Sequence, residues 1–208
     1  MKIFCIGLSR TGTLSLNDAL HLLGYRTVHY PTRILGLRNG KLFLKPNALG
    51  NYDAFADTPA ARFYKELDVL YPGSKFILTV RNVEEWLRSC EKFFNTAAAN
   101  ATIRQLRLDL YSTEFFDAGK FRAGYERHLK NVTEYFRDRP GDLCVLNVTE
   151  GEGWKKLCPF LGKKEPKSEF PRRHIVHWDS PAKRSLKAAL AGLGLLWLVR
   201  KIVGTLRR

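Results

Sequence analysis

The stretch KIFCIGLSRTGTLSLNDALHLLG, residues 2–24, decides the fold class. Its first part, residues 2–8, is a short apolar run with aromatic and β-branched members, which is typical of a buried strand. Apolar residues then recur at helical spacing, at Leu16, Ala19, Leu20 and Leu23, and Gly24 ends the pattern. Residues 9–13 therefore join a strand to a helix. Such a loop directs backbone N–H groups and a helix N-terminus at one point, which favours a bound phosphate or sulfate.

The loop is close to the nucleotide-binding pattern G-x-x-x-x-G-K-[ST], because Gly7 and Gly12 have the required separation. It departs from the pattern at Thr13, which stands where the lysine should be, and its cation comes earlier, at Arg10. The sequence thus predicts an anion site that differs from an ordinary nucleoside triphosphate site with magnesium. The alternative interpretation is a plain strand–helix turn with a structural Gly12 and a solvated Arg10.

A second strand–helix unit reads KFILTVRNVEEWLRSCEKFF at residues 75–94. Residues 76–80 are a continuous apolar run, as expected of a buried parallel strand. Arg81 follows at the end where open α/β sheets bind ligands, and Asn82 is placed to cap the next helix. Ser89 comes two helical turns later, so the side chains of Arg81 and Ser89 can converge on one phosphate.

Together the two units resemble the cofactor motifs of sulfotransferases that use 3′-phosphoadenosine 5′-phosphosulfate as the sulfuryl donor. The motif for the 5′-phosphosulfate is matched by Arg10, Thr11, Gly12, Thr13 and Leu14. The motif for the 3′-phosphate is matched by Arg81 and Ser89. The similarity covers about the first 175 residues, with further matches at 53–59, 143–149 and 154–162. The resemblance implies a P-loop-like fold and transfer of a sulfuryl group to a hydroxyl acceptor.

The resemblance also implies catalytic roles. Arg10 takes the cation position of the loop and would act by charge, because a guanidinium does not give up its proton. Asp57 ends a predicted strand and is the first candidate for the base that accepts the proton of the acceptor hydroxyl; its alternative role is that of a helix N-cap. His29, at the end of another predicted strand, is the second candidate. No metal is required, because the leaving group is a phosphate already held by N–H donors.

Strand and helix patterns alternate along the chain, which predicts a three-layer α/β domain with a mostly parallel sheet over residues 1–175. Further strands are predicted at 26–30, 52–56 and 143–148, and further helices at 60–71, 121–139 and 153–161. Residues 31–51 have no clear period, and we expect a short helix and a loop there. Residues 35–51 and 97–118 are the longest segments that the cofactor does not need, so we expect them to contact the acceptor.

The composition indicates a globular chain in a reducing compartment. Of the 208 residues, 45% are apolar, which excludes a disordered chain. The four cysteines, Cys5, Cys90, Cys144 and Cys158, lack metal-type spacing and are interpreted as buried reduced thiols. Arg10 interrupts any apolar signal region at the start of the chain, so a cytoplasmic location is expected.

The net charge of +15 is unevenly placed, because residues 155–208 hold 14 of the 35 basic and 3 of the 20 acidic residues. This distribution does not favour nucleic-acid binding across a folded face. Residues 176–208 form a basic, apolar tail in which 188–199 carry no charge. As a helix that stretch spans about 18 Å, short of the ~30 Å core of a bilayer. We expect it to lie on an anionic cytoplasmic membrane surface; the alternative is a helix packed on the domain or a partner.

The sequence leaves two rival functions open. One is a P-loop small-molecule kinase that uses ATP, against which the missing Gly-Lys-[ST] argues. The other is a nucleotide-binding, membrane-associated protein without catalysis. The acceptor is not identified by any motif; a hydroxyl on a carbohydrate, a lipid or a small metabolite is the expected class.

Overall fold

A computed structural model describes residues 1–45 and 49–173. Seven strands occur in this part of the chain: β1 (Ile3–Cys5), β2 (Thr27–His29), β3 (Leu35–Arg38), β4 (Lys41–Leu44), β5 (Ala54–Ala56), β6 (Lys75–Thr79) and β7 (Leu143–Leu146). Five of them form one parallel sheet in the order β2-β5-β1-β6-β7. The other two, β3 and β4, form a separate antiparallel hairpin. The predicted α/β class with a mostly parallel sheet is confirmed.

Seven α-helices connect and cover the strands: α1 (Thr13–Leu22), α2 (Thr58–Arg62), α3 (Tyr64–Leu70), α4 (Val83–Phe93), α5 (Ala101–Tyr111), α6 (Ala118–Tyr135) and α7 (Trp154–Leu161). Buried side chains of α1 and α7 share one hydrophobic cluster with one face of the sheet. Buried side chains of α2 to α6 share a second cluster with the opposite face. The domain therefore has three layers.

The central strand shows why the layers form. Successive side chains of a strand point to opposite faces, and in β1 Phe4 faces one cluster while Ile3 and Cys5 face the other. All three are fully buried. The register places Phe4 beside Phe55 of β5 and Phe76 of β6, with ring centroids 5.7 Å and 5.5 Å away. Burying one such ring stabilises the fold by about 1.5–3 kcal/mol.

The sheet order determines where a site can form. Because β1 lies between β5 and β6, the loops that follow these three strands meet at the same edge of the parallel sheet. That carboxyl edge is where open α/β sheets bind ligands.

Residues 31–51 differ from the expected short helix and loop. A single 3-10 turn, Thr32–Ile34, is followed by the β3–β4 hairpin. The hairpin turns at Asn39 and Gly40, with φ of 49° and 71°. This Asn-Gly pair, with Leu37 before it and Leu42 after it, is a strong hairpin signal, since both turn positions need positive φ. The ring of Phe43 occupies the space that a side chain at position 36 would need.

The four cysteines are buried and unpaired in the fold, which confirms their interpretation as reduced thiols. The tail predicted for residues 176–208 lies outside the described residues, so the division of the chain near residue 175 stays a prediction. Within the part that the structure describes, every helix is too short or too polar to cross a bilayer.

Candidate active site

The loop between β1 and α1 passes tightly against the end of β6. A Cβ atom on Gly7 would lie 1.8 Å from Oγ1 and 2.7 Å from the carbonyl oxygen of Thr79, so the loop can take this path only with glycine there. The hydroxyl of Thr11 donates to the carbonyl of Leu8 at 2.7 Å and lies 2.6 Å from the Thr79 hydroxyl. These contacts hold the loop against the end of β6.

A second anchor comes from α4. The indole N–H of Trp86 donates to the carbonyl of Ser9 at 2.9 Å. Trp86 is fully buried and Phe94 nearly so, and both belong to the hydrophobic core. The tryptophan thus holds the loop in place from the core side.

The N-terminus of α1 has no side-chain cap, which is also true of α3 and α7. Helix α1 begins after Gly12, which has a φ of 99°. By contrast, side-chain oxygens cap α2, α4, α5 and α6, from Asp57, Asn82, Asn100 and Asp117. The first turn of α1 also has no acidic residue. Uncapped N–H groups and the helix dipole both favour an oxyanion at this point.

Arg10 adopts a left-handed backbone conformation with φ of 75°. Its Nε donates to Oγ of Ser89 at 3.0 Å, and its guanidinium lies 5.2 Å from the ring centroid of Phe93. The guanidinium of Arg10 is therefore in contact with the protein and not only with solvent, whereas its role at an anion stays a prediction. The loop cation is held by two residues of α4.

The structure gives Arg81 and Ser89 different partners. Arg81 forms an ion pair with Glu85 at 3.2 Å, whereas Ser89 contacts Arg10. The backbone of Arg81 is fixed by Tyr125, whose hydroxyl donates to the Arg81 carbonyl at 2.7 Å and accepts from its N–H at 2.9 Å. The convergence of Arg81 and Ser89 on one phosphate stays a prediction.

The two candidates for the base, Asp57 and His29, are in direct contact. Strands β2 and β5 pair with His29 opposite Ala56, so Asp57 leaves the sheet beside the histidine. Nε2 of His29 lies 3.0 Å from Oδ2 of Asp57. The hydroxyl of Thr13, the first residue of α1, donates to the same Oδ2 at 2.9 Å and lies 3.1 Å from Nε2.

The second oxygen of Asp57 is also fully used. Oδ1 accepts the N–H of Thr58 at 2.6 Å and the hydroxyl of Ser9. Asp57 is thus the N-cap of α2, as the alternative interpretation holds, and at the same time the hub of a polar cluster. Its φ of 86° is uncommon for any residue but glycine. Sequence reasoning missed Ser9 and Thr58, although both flank predicted site residues.

Two comparisons with known proteins show the family of this chain. A family model described as "Sulfotransferase domain" matches residues 2–176. The chain belongs to the sulfotransferase family. One similar protein is "Ava biosynthesis cluster protein M" from Aspergillus versicolor, 30% identical over 216 aligned residues, which cover 86% of this chain and 82% of the relative. The chain is therefore a transferase, as the motifs predict, and its P-loop-like sheet fits that family.

The electrostatics of this sulfotransferase centre on Asp57. Burial by itself would raise the pKa of the Asp57 carboxyl, but the hydrogen bonds from His29, Ser9 and the Thr58 N–H outweigh it and lower the pKa. Asp57 is therefore a carboxylate at neutral pH. With both oxygens occupied by protein donors, it has little capacity to take a proton from a substrate.

The contact between His29 and Asp57 also determines the tautomer of the histidine. A carboxylate only accepts hydrogen bonds, so Nε2 of His29 carries the proton that points at Asp57. In the neutral imidazole the lone pair then lies on Nδ1. About a quarter of the His29 side chain, 27%, is exposed, so the ring can be reached from outside. Of this pair, His29 is the more accessible residue, and Asp57 is the residue that orients its ring.

Metal ligands are not grouped in the described part of the domain. In residues 1–45 and 49–173, no three His, Cys, Asp or Glu side chains lie close enough together to hold a metal ion. The site is built instead from N–H groups, hydroxyls, one carboxylate, one imidazole and one guanidinium.

Proposed function

We propose that this sulfotransferase moves a sulfuryl group from 3′-phosphoadenosine 5′-phosphosulfate to a hydroxyl acceptor at the carboxyl edge of its sheet. One observation carries the proposal: Thr13 begins the uncapped helix α1 and also touches both Asp57 and His29. The oxyanion site and the proton-accepting pair therefore share a residue. A donor held by the loop would have its reactive end beside the base.

The loop suits the phosphosulfate end of the donor. Gly12, Thr13 and Leu14 bring their backbone N–H groups to the start of α1, whereas the N–H of Thr11 donates to the carbonyl of Leu8 at 3.3 Å. Arg10 adds a fixed positive charge. Thr13 and Leu14 replace the lysine and the hydroxyl residue that an ATP site uses for its phosphates and magnesium. Arg81 and Ser89 are assigned to the 3′-phosphate by resemblance. The bound donor supplies the sulfuryl group.

The chain's own residues supply orientation and proton transfer. Asp57 holds His29 through Nε2, so that Nδ1 accepts the proton of the acceptor hydroxyl as the new S–O bond forms. Arg10 and the N–H groups stabilise negative charge on the departing phosphate. Arg10 and Asp57 thus keep roles in catalysis, but Asp57 acts through His29 rather than as the base.

The acceptor side stays assigned to residues 35–51 and 97–118, the segments expected from the sequence. Helix α5 packs against both strands of the β3–β4 hairpin, so parts of residues 35–51 and 97–118 lie together. Because neither segment belongs to the loop or to α4, both are available to an acceptor hydroxyl on a carbohydrate, a lipid or a small metabolite.

Equilibrium binding tests this function directly. The dissociation constant of adenosine 3′,5′-bisphosphate is measured by calorimetry and compared with those of ADP and ATP with magnesium. We expect the 3′-phosphorylated nucleotide to bind at least about tenfold more tightly, because one additional charged hydrogen bond strengthens binding by about this factor. Equal affinities, or turnover of ATP that depends on magnesium, would favour the P-loop kinase instead.

A second measurement separates an enzyme from a nucleotide-binding protein without catalysis. Labelled sulfate is followed from the donor to a panel of hydroxyl compounds, in wild-type protein and in His29→Ala. Transfer that disappears in the variant while bisphosphate binding persists supports the enzyme. Bisphosphate binding with no transfer to any compound supports a nucleotide-binding protein without catalysis.

The tail adds a proposal on location. We infer that residues 176–208 attach the protein to an anionic membrane surface, because an uncharged stretch at 188–199 is flanked on both sides by basic residues. Sedimentation with vesicles containing phosphatidylserine is compared for the full chain and for a chain ending at Ser185. Equal sedimentation of the two would exclude the tail as the anchor.

A further inference from the structure

The β3–β4 hairpin has an apolar face and a basic face. Four leucines that pair across the two strands share the apolar face: Leu35 with Leu44 and Leu37 with Leu42. Because successive side chains of a strand alternate, the pairs Gly36–Phe43 and Arg38–Lys41 lie on the opposite face. Arg38 and Lys41 are exposed there, and Phe43 is 36% exposed. This second face, the outer face of the hairpin, is therefore open to a partner.

The segment around the hairpin is basic throughout. Residues 31–51 contain four basic side chains and no acidic one: Arg33, Arg38, Lys41 and Lys45. All four are exposed. Among the residues that the structure describes, none of the four forms an ion pair. The segment thus presents four positive charges that the described part of the domain does not neutralise.

Two of these charges oppose each other across the strands. Arg38 and Lys41 are direct cross-strand partners, and like charges at such positions repel and lower stability. The folding of the hairpin therefore gives no reason for the pair. The guanidinium of Arg38 also lies 5.6 Å from the ring centroid of Phe43. Cations beside a partly exposed aromatic ring suit a surface that offers both anionic headgroups and an apolar layer.

Charge also decides between the possible occupants of this face. The chain has a net charge of +15, so a second copy of it is not complementary. Residues 174–208 contain seven basic residues and a single acidic one, Asp179, so the chain's own tail is not complementary either. The occupant is therefore a foreign anionic surface. A membrane also explains the uncharged stretch at 188–199, for which a soluble polyanion offers no apolar phase.

We propose that the outer face of the β3–β4 hairpin docks the folded domain on an anionic membrane, where Arg38 and Lys41 contact lipid phosphates and Phe43 meets the headgroup layer. This inference rests on the proposed membrane location and adds to the tail a contact made by the folded domain.

Sedimentation with vesicles tests this face in the full chain. The vesicles consist of phosphatidylcholine with or without phosphatidylserine. The hairpin variant is Arg38→Gln with Lys41→Gln, and the control variant is Lys155→Gln with Lys164→Gln. Both variants have the same net charge. The control lysines are exposed in or just after α7, which packs on the opposite face of the sheet from the hairpin.

The hairpin variant should bind phosphatidylserine vesicles about tenfold or more weakly than wild type, because each basic residue near such a surface contributes about fivefold. The control variant should bind within about twofold of wild type. The swapped variant, Arg38→Lys with Lys41→Arg, keeps both charges and should bind like wild type. Because removal of the pair relieves a repulsion, the hairpin variant should not melt below wild type, so lost binding is not a loss of folding.

Three results would overturn the proposal. The first is a hairpin variant that sediments like wild type, and the second is an equal loss in the hairpin and control variants, which would mean that net charge alone matters. The third is a hairpin variant that loses affinity for heparin but not for vesicles, which would assign the face to a soluble polyanion. The tail is tested separately: if the full chain and a chain ending at Ser185 sediment equally, the tail proposal fails, whereas a loss in the hairpin variant still supports docking through the hairpin.

Discussion

Nε2 of His29 and Oδ2 of Asp57 lie 3.0 Å apart, at the ends of two neighbouring parallel strands. The contact joins a partly exposed imidazole to a carboxylate that is buried and saturated with protein donors. Two residues that compete for one role in the sequence are thus one unit in the fold. The imidazole faces outward and the carboxylate fixes its tautomer.

Replacing His29 by alanine should remove the base and leave the donor site intact. A general base contributes about 10²–10⁴-fold to a rate, so sulfuryl transfer by His29→Ala should fall by at least about 10²-fold. Binding of adenosine 3′,5′-bisphosphate should not change, because no donor-binding residue is altered. Turnover measured with the best available acceptor and calorimetry with the bisphosphate check this; a variant that keeps wild-type turnover would contradict the role of His29.

Asp57→Asn should lower the transfer rate by changing the tautomer of His29. The amide can keep the bonds to Ser9 and Thr58, but it directs an N–H towards His29 and therefore favours the wrong tautomer. Transfer should fall by about 10²-fold or more, and His29→Ala combined with Asp57→Asn should be little worse than either change alone, because the two residues act as a unit. If the rate losses of the two single variants multiply in the double variant, the two residues act independently.

The sequence predicts the loop, strands and helices that carry this site better than it predicts the contacts between them. Local patterns predict the loop, the order of strands and helices, and the candidates Arg10, Asp57 and His29, because strands and caps depend on neighbouring residues. Local patterns do not predict contacts between distant residues. The Trp86 indole on the Ser9 carbonyl and the Ser89 hydroxyl on Arg10 join positions nearly 80 residues apart. Such pairs depend on helix placement, which periodicity does not specify.

The hairpin and helix α5 illustrate the same limit. The Asn39-Gly40 turn signal is local and could have been found. The packing of α5 against that hairpin could not, because it joins residues that are far apart in the sequence.

Arg81→Ala tests the assignment of Arg81 to the 3′-phosphate. Loss of a charged hydrogen bond should weaken binding of adenosine 3′,5′-bisphosphate by about 1.5–3 kcal/mol. Affinity for adenosine 5′-monophosphate, which lacks the 3′-phosphate, should stay the same. Calorimetry with the two nucleotides measures the difference. If both affinities fall equally, Arg81 acts on something other than the 3′-phosphate.

Gly7→Ala tests the path of the loop. The added Cβ would fall 1.8 Å from the Thr79 hydroxyl and 2.7 Å from its carbonyl, so the loop or β6 must shift. Overpacking of this kind typically costs about 1–3 kcal/mol of the free energy of unfolding. Gly141→Ala is the matched control, because a Cβ there meets nothing within 4 Å and its φ is not positive. Urea unfolding should show a loss for position 7 and none for position 141.

The acid stability of the fold should depend on Asp57. Hydrogen bonds hold the pKa of this buried carboxyl below its ordinary value of about 4 despite the opposing effect of burial. A lowered pKa means that ionised Asp57 stabilises the fold above pH ~4, and that this contribution is lost as the pH falls through the folded-state pKa. Protonated Asp57 resembles asparagine, so the gap in unfolding free energy between wild type and Asp57→Asn should shrink as the pH falls from about 5 towards 3. Urea titrations across that range measure the gap; one that widens in acid would mean that the folded protein raises the pKa of Asp57.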